Sequence, residues 1–343
     1  MKRVLNTLYV MSQGAYLKKE GEAIAVKVGG EVKLRVPIIS IGSIVCFGDA
    51  LISPALMGHC AKCGVIISYL SAYGRFLARV EGPTTGNVLL RREQYRMSDD
   101  RRRSAIIARA IVAAKIANCR SVILRAVRDH DEQMQVEKVS RAADELKWRI
   151  DAALQEYDLD RLRGIEGDCA RIYFDVFNEL IVAQKTDFSF RDRNRRPPLD
   201  RVNALLSFVY TMLYHDMRSA LETTGLDPAV GFLHRDRPGR MSLALDLMEE
   251  FRPFIAERLV LSLINLKQID QKDLAVSESG AVLLSEAGRK IVVSAYQKRK
   301  QDSIVHPFVG EEMHLGIVLQ TQAILLARHI RGDMDGYPAF IWK

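Results

Sequence analysis

The segment Gly82-Pro83-Thr84-Thr85-Gly86 decides the architecture: it has turn residues at both ends, no apolar side chain to anchor it in a core, and a different texture on either side. Before it, residues 5–10, 15–19, 23–28 and 32–36 are short apolar-rich runs parted by glycine, polar or charged turns, which is the pattern of strands. Gly29-Gly30 predicts a hairpin turn. Residues 37–47 continue in extended texture, 53–63 read as one short helix, and 65–69 and 75–80 return to strand. From Asn87 onward, apolar residues recur every three or four positions over stretches too long for strands. Ser98-Asp99-Asp100 supplies capping residues for a helix carrying Ile106, Ile107, Ala110 and Ala114, and further helices fit 136–157, 169–182, 201–223 and 242–251. A small hairpin is predicted from 274–276 and 281–284 around Ser277-Glu278-Ser279-Gly280, then helices at 286–300 and 311–330. The expectation is an α+β protein with a small N-terminal β-rich domain (1–85) and a larger, mainly α-helical domain (86–343).

Composition agrees. A chain of 343 residues exceeds an ordinary single domain of about 100 to 200. Hydrophobic residues at 48% with 27% charged residues describe a globular chain and not a disordered or membrane one. The excess of 50 Lys+Arg over 42 Asp+Glu, a net charge of +8, favours polyanionic partners without choosing one. Five cysteines, at 46, 60, 63, 119 and 169, lack the spacing of a secreted disulfide framework. Asn6, Thr7, Ser12 and Gln13 interrupt what would be the apolar run of a signal peptide. The longest uncharged stretch, 36–48, falls short of the roughly 18 apolar residues that span a bilayer. A cytoplasmic protein is expected.

Several residues could carry chemistry. Asp246 and Glu249 are three apart in Ser242-Leu-Ala-Leu-Asp-Leu-Met-Glu-Glu-Phe-Arg-Pro253, with Ser242 as a cap and Pro253 as a stop. Their Cβ atoms should share one face beside the stripe of Leu243, Leu247 and Phe251. That face is either a solvated acidic surface or a place for a divalent ion. His234, in Gly231-Phe-Leu-His-Arg-Asp-Arg-Pro-Gly-Arg240, precedes Asp246 by twelve residues across a loop marked by Pro238 and Gly239, so the imidazole can fold back onto the helix. Arg235, Arg237 and Arg240 crowd the same loop, as salt bridges or as a phosphate clamp. Glu166, in Arg163-Gly-Ile-Glu-Gly167, reads as the start of a helix, where an acid favours the dipole; Gly167 beside it would also let a bulky ligand approach.

The stretch 188–201 sets Arg191, Arg193, Arg195, Arg196 and Arg201 against only Asp192 and Asp200, which fits a solvated linker or a phosphate-gripping loop equally well. Cys60-Ala-Lys-Cys63, preceded by His59, has the spacing of a zinc half-site but no second half follows, so Cys60 reads as a small core hydrophobe. No Gly-rich phosphate loop of the Walker or dinucleotide kind is present.

Taken together, Arg163-Gly-Ile-Glu-Gly, Arg195-Arg-Pro-Pro followed by Asn203-Ala-Leu-Leu-Ser-Phe, Gly231-Phe-Leu-His, and the segment from Ser242 to Pro253 resemble, in order, the signature segments of the CRISPR-associated nuclease-integrase family that inserts new spacers into a CRISPR array. The resemblance covers essentially the whole chain. Leu5-Asn-Thr-Leu-Tyr-Val and Gly86-Asn-Val-Leu-Leu-Arg-Arg look most like its type I-C branch. The resemblance implies a homodimer, two copies of which flank a dimer of a small ferredoxin-like CRISPR-associated adaptation partner, acting on double-stranded and branched DNA with no membrane involved. It also implies that Glu166, His234 and Glu249 are metal ligands and Asp246 an additional active-site acid. Many members carry aspartate where this chain has Glu249, whose extra methylene changes its reach. Two or three carboxylates with one imidazole suit Mg²⁺ or Mn²⁺. Attack by a spacer 3′-hydroxyl on a phosphodiester would be integration, and attack by water would be endonuclease cleavage. The arginines at 191, 193, 195, 196, 235, 237 and 240 would bind DNA. The competing reading is a non-catalytic, DNA-binding architectural protein that uses the +8 charge alone.

Overall fold

The computed structural model describes residues 6–72, 76–80, 82 and 88–342. The strand-rich region runs β1 (Asn6–Val10), β2 (Ala15–Glu20), β3 (Ala23–Val28), β4 (Glu31–Pro37), β5 (Ile41–Phe47), β6 (Ala50–Ile52), α1 (Pro54–Cys63), β7 (Ile66–Leu70) and β8 (Phe76–Val80). They form two four-stranded sheets, ordered β4-β3-β2-β6 and β1-β5-β7-β8. In the first, β3 and β4 form the hairpin foreseen at Gly29-Gly30, whose φ values of 59° and 85° are open to glycine at little cost. In the second, β1, β5 and β7 are parallel and β8 is antiparallel. Helix α1 is capped by Ser53, whose Oγ accepts the Leu56 N–H at 3.3 Å, and stops at Gly64 with φ 68°.

The near-continuous apolar run of β5 has a direct cause, since its sheet is covered on both faces. Ile44 and Cys46 enter the N-terminal core with Leu17, Ile24, Leu56 and Ile67. Val45 and Phe47, pointing the other way, join the core of the helical region, where Phe47 lies 5.6 Å from Phe208 between ring centroids. A buried polar knot ties the two regions at Asp216, which accepts from Thr7 Oγ1 at 2.8 Å, Tyr296 Oη at 3.0 Å and Lys300 Nζ at 2.7 Å.

The helical region comprises α2 (Val88–Asp99), α3 (Arg101–His130), α4 (Val136–Gln155), α5 (Leu159–Asp175), α6 (Arg201–Thr224), α7 (Ser242–Met248) and α8 (Arg258–Asn265). It continues with β9 (Leu274–Val276), β10 (Val282–Leu284), α9 (Glu286–Lys300), β11 (Ser303–Val305), β12 (Glu312–His314) and α10 (Leu315–Ile330). Its spine is α3, 30 residues long, started by Asp100, which accepts the N–H groups of Arg102 and Arg103 at 2.9 and 3.1 Å. Ala105, Ala108, Ala113 and Ala114 are small enough to let neighbouring helices approach, and α4 and α5 pack along it. Among the described residues no helix is long and apolar enough to cross a membrane.

The structure corrects four local readings. Helix α5 begins at Leu159, because Asp158 caps it by accepting the N–H groups of Asp160 and Arg161 at 2.9 Å each; Glu166 is therefore mid-helix, and Gly164 and Gly167 lie within it. The helix predicted over 169–182 stops at Asp175 and is followed by a 3₁₀ turn, Phe177–Leu180. Ser242 is buried and caps nothing, and Pro253 does not end the chain's helical course. After α7, the backbone widens into a π-helical turn, Arg252–Glu257, which absorbs a residue without an N–H and leads into α8. Residues 312–314, predicted as helix, pair with β11 instead, so α10 starts at Leu315. Residues 83–87, which carry the expected domain boundary, lie outside the described residues, as do residues 5 and 75 of the predicted strands.

Candidate active site

The loop from Gly231 to Arg240 is folded onto α7 by one side chain. Asp246 has no solvent exposure. Its Oδ2 accepts the N–H groups of Phe232 and Leu233 at 2.6 and 2.9 Å, and its Oδ1 accepts the His234 N–H at 2.9 Å. Oδ1 also lies 2.6 Å from His234 Nδ1. With a carboxylate as acceptor, Nδ1 carries the proton and Nε2 keeps a lone pair. The imidazole thus folds back as the loop spacing predicts, but the acid is no part of a solvated face. Position 231 tolerates only glycine, because a Cβ there would sit 2.7 Å from Asp246 Oδ2 and 2.8 Å from the Ser242 carbonyl carbon.

Glu249, at the end of α7, is 2% exposed. Its Oε1 pairs with Arg252 at 2.9 Å and its Oε2 with Lys115 at 2.6 Å. Lys115 reaches from the middle of α3 and contacts Glu166 Oε1 as well, so one ammonium bridges the carboxylates of α5 and the α7 end. Burial alone would raise Glu249, yet Arg252, Lys115 and His234 pull it down to about 2. Burial opposes the charged form of Lys115, but Glu249 and Glu166 outweigh it and hold the lysine above its ordinary range. Arg252 lies over the Tyr210 ring at 5.0 Å, and Tyr210 Oη donates to the buried Glu257 at 2.5 Å.

The structure therefore joins Glu166 to Glu249 and His234 to Asp246. Among the described residues no three His, Cys, Asp or Glu side chains converge, as they stand, on a metal position. The cation between Glu166 and Glu249 is the Lys115 ammonium, and a carboxylate pair that brackets one cation is a donor set that fits another. Lys115 and Arg252 went unnoticed in the sequence. The signal for Lys115 was a lone cation in the apolar run from Ile111 to Ile116, since a lysine buried in a helix core requires carboxylate partners.

The predicted arginines divide. Arg195 and Arg196 are exposed and, with Arg237 and Arg240, line a cleft of about 1000 Å³ that reaches Tyr210 and Arg252. Arg191 is exposed outside that lining. Arg193, half-buried in the same lining, donates to Asn203 Oδ1 at 2.5 Å and Ser207 Oγ at 3.1 Å, so its hydrogen bonds brace the loop. Arg235 is held by Asp160 at 2.6 Å, beside Arg163, which donates to the Leu233 carbonyl at 2.6 Å and so ties the histidine loop to α5. In the N-terminal core, burial raises the Cys60 thiol to about 11, while His59 Nε2 lies 3.3 Å from Glu22 Oε2.

Residues 8–298 match the family described as CRISPR associated protein Cas1. The chain belongs to that family. It is 53% identical over 343 residues to CRISPR-associated endonuclease Cas1 1 of Chlorobaculum tepidum and 51% identical over 350 residues to CRISPR-associated endonuclease Cas1 2 of Rhodospirillum rubrum; each alignment covers 100% of both chains. Among solved structures, a Cas1 protein from Thermotoga maritima superposes with a TM-score of 0.81 at 23% identity, over 98% of this chain and 100% of that one. A casposase bound to integration product gives 0.82 at 23% identity, over 99% and 95%. The strand-rich region followed by a helical region is thus the Cas1 fold.

Proposed function

We propose that the chain is a divalent-metal-dependent DNA endonuclease and integrase that inserts new spacer DNA into a CRISPR array. The observation that carries this reading is the partly exposed Glu166 and the buried Glu249 bracketing a cation beside the Asp246-oriented His234, at the rim of an arginine-lined cleft. Glu166, Glu249 and His234 Nε2 would hold Mg²⁺ or Mn²⁺, which when bound polarises a phosphate oxygen and stabilises the leaving one. Asp246 keeps the His234 proton on Nδ1 and so keeps Nε2 available. Arg195, Arg196, Arg237 and Arg240 seat the phosphate backbone along the cleft. Arg252, fixed between Glu249 and Tyr210, adds positive charge where the cleft meets the carboxylates.

The named relatives are endonucleases, and the casposase of similar fold was solved with its integration product. A further structure of this fold, a Cas6-RT-Cas1–Cas2 complex at TM-score 0.81 and 23% identity, supports assembly with the small ferredoxin-like partner; this chain covers 36% of that one. A homodimer, a domain division near residue 85, a cytoplasmic location and membership of the type I-C branch complete the proposal. The non-catalytic alternative is disfavoured because a DNA binder gains nothing from burying Asp246 and Glu249 beside its basic cleft.

The deciding experiment incubates purified protein with supercoiled plasmid and branched DNA, with and without the small partner, in Mg²⁺, Mn²⁺ or chelator. Strand transfer that requires the ion and disappears in Glu166→Ala, His234→Ala and Glu249→Ala is the expected result. Cleavage that survives chelation, or never appears with Mn²⁺, refutes the reading.

A further inference from the structure

Lys115 is the one member of the carboxylate cluster that the proposed chemistry leaves without a task. Its Nζ touches Glu166 and lies 2.6 Å from Glu249 Oε2. Its surroundings on α3 are apolar, with Ile111, Val112, Ile116 and Cys119 all buried. Two carboxylates that share one ammonium repel each other, and Glu249 is also buried from water, so without a cation between them the pair would splay. Arg252 cannot fill that position, because it is committed to Glu249 Oε1 at 2.9 Å and to the face of Tyr210. Lysine differs in kind: its ammonium is a compact point charge on a flexible four-carbon stem that can withdraw.

We propose that Lys115 is a positioning residue that acts as a placeholder cation, its ammonium holding Glu166 and Glu249 together in the metal-free protein and yielding to the divalent ion as it binds. This rests on the reading of Glu166 and Glu249 as metal ligands. The consequence is an exchange: the lysine makes the empty site stable, and it does so by competing with the ion, which weakens the ion's affinity. A lysine serving packing alone would contribute equally to the empty and the loaded protein.

The test compares full-length wild type with Lys115→Met, which keeps the apolar stem, and Lys115→Gln, which keeps a donor without the charge. Mn²⁺ binding is followed by calorimetry, and the thermal midpoint is recorded with and without Mn²⁺. The expected result is a lower midpoint for both variants in chelator, most of the loss recovered in saturating Mn²⁺, and binding tighter than wild type by about tenfold. Lys115→Gln serves if Lys115→Met does not fold. Equal losses of midpoint with and without Mn²⁺, or unchanged or weaker binding in a folded variant, overturn the placeholder role. Glu166→Gln and Glu249→Gln separate the two readings: Mn²⁺ bound as tightly by these variants as by wild type would remove the carboxylates as ligands and the placeholder role with them. Loss of Mn²⁺ binding there, alongside unaltered affinity in the Lys115 variants, would overturn the placeholder role alone.

Discussion

Replacing Asp246 by asparagine changes one atom's chemistry and leaves shape almost untouched, so its consequences can be worked out bond by bond. The carboxylate accepts four contacts, from the N–H groups of Phe232, Leu233 and His234 and from His234 Nδ1. An amide offers one oxygen. If that oxygen takes the Oδ1 position, His234 keeps both bonds and the new NH₂ faces the Phe232 and Leu233 donors; the reverse orientation orphans His234 instead. In the first orientation the two buried donors of Phe232 and Leu233 lose their acceptor, at about 1 to 3 kcal/mol each, or about 2 to 6 kcal/mol in all. Retreat is blocked, since Gly231 is packed so closely that a Cβ would fall 2.7 Å from Oδ2. The assay is hydrogen exchange across 231–236 in Asp246→Asn, with α3 as the internal reference. Even the lower bound accelerates exchange there about 30-fold, at 1.4 kcal/mol per tenfold. Wild-type protection in this segment would refute the argument that Asp246 organises the loop.

Other consequences are as direct. Lys300→Met strands the buried Asp216 carboxylate between Thr7 and Tyr296, which should cost about 3 to 5 kcal/mol in denaturant unfolding; a loss under 1 kcal/mol would mean that Asp216 is satisfied without its ion pair. Burial, helped by Arg218 and Arg79, lowers His215 from 6.5 to about 4. The unfolded chain therefore binds the extra proton first, and stability present above about pH 6.5 is lost as pH falls toward 4, by about 2 kcal/mol at pH 5. His215→Gln should flatten that part of the pH profile, and an unchanged slope would assign it to other groups. Neutralising Arg195, Arg196, Arg237 and Arg240 together should reduce the slope of log K against log salt by roughly 0.9 per lost duplex phosphate contact. Arg193→Ala, by contrast, should show its main effect as lowered thermal stability, through Asn203 and Ser207; a salt slope that drops with Arg193 alone would place that side chain on DNA.

Sequence alone determined what short-range physics controls. Gly29-Gly30 made a hairpin because both positions need positive φ, and 286–300 made a helix because Ser285 caps it and its apolar positions repeat at helical spacing. The return of His234 to Asp246 was legible because only twelve residues and a Pro-Gly turn separate them. Local signals misled where two of them competed. Gly164 and Gly167 looked like a helix boundary, but the Asp158 cap upstream and the packing of α5 along α3 carry the helix through both. Pro253 looked like a stop, but the π-helical turn accommodates it inside the core.

Tertiary structure alone decided which charges meet. Lys115 is 51 residues from Glu166 and 134 from Glu249 by their numbers, and no spacing rule links α3, α5 and the end of α7. Arg193 and Arg196 stand three residues apart in one basic loop and line the same cleft, yet Arg193 is tied down to Asn203 and Ser207 while Arg196 is exposed. Residue types state which groups need a partner, because a buried charge cannot stay bare. Which partner it finds is settled by the packing of distant elements, and here that packing placed a lysine between the two acids.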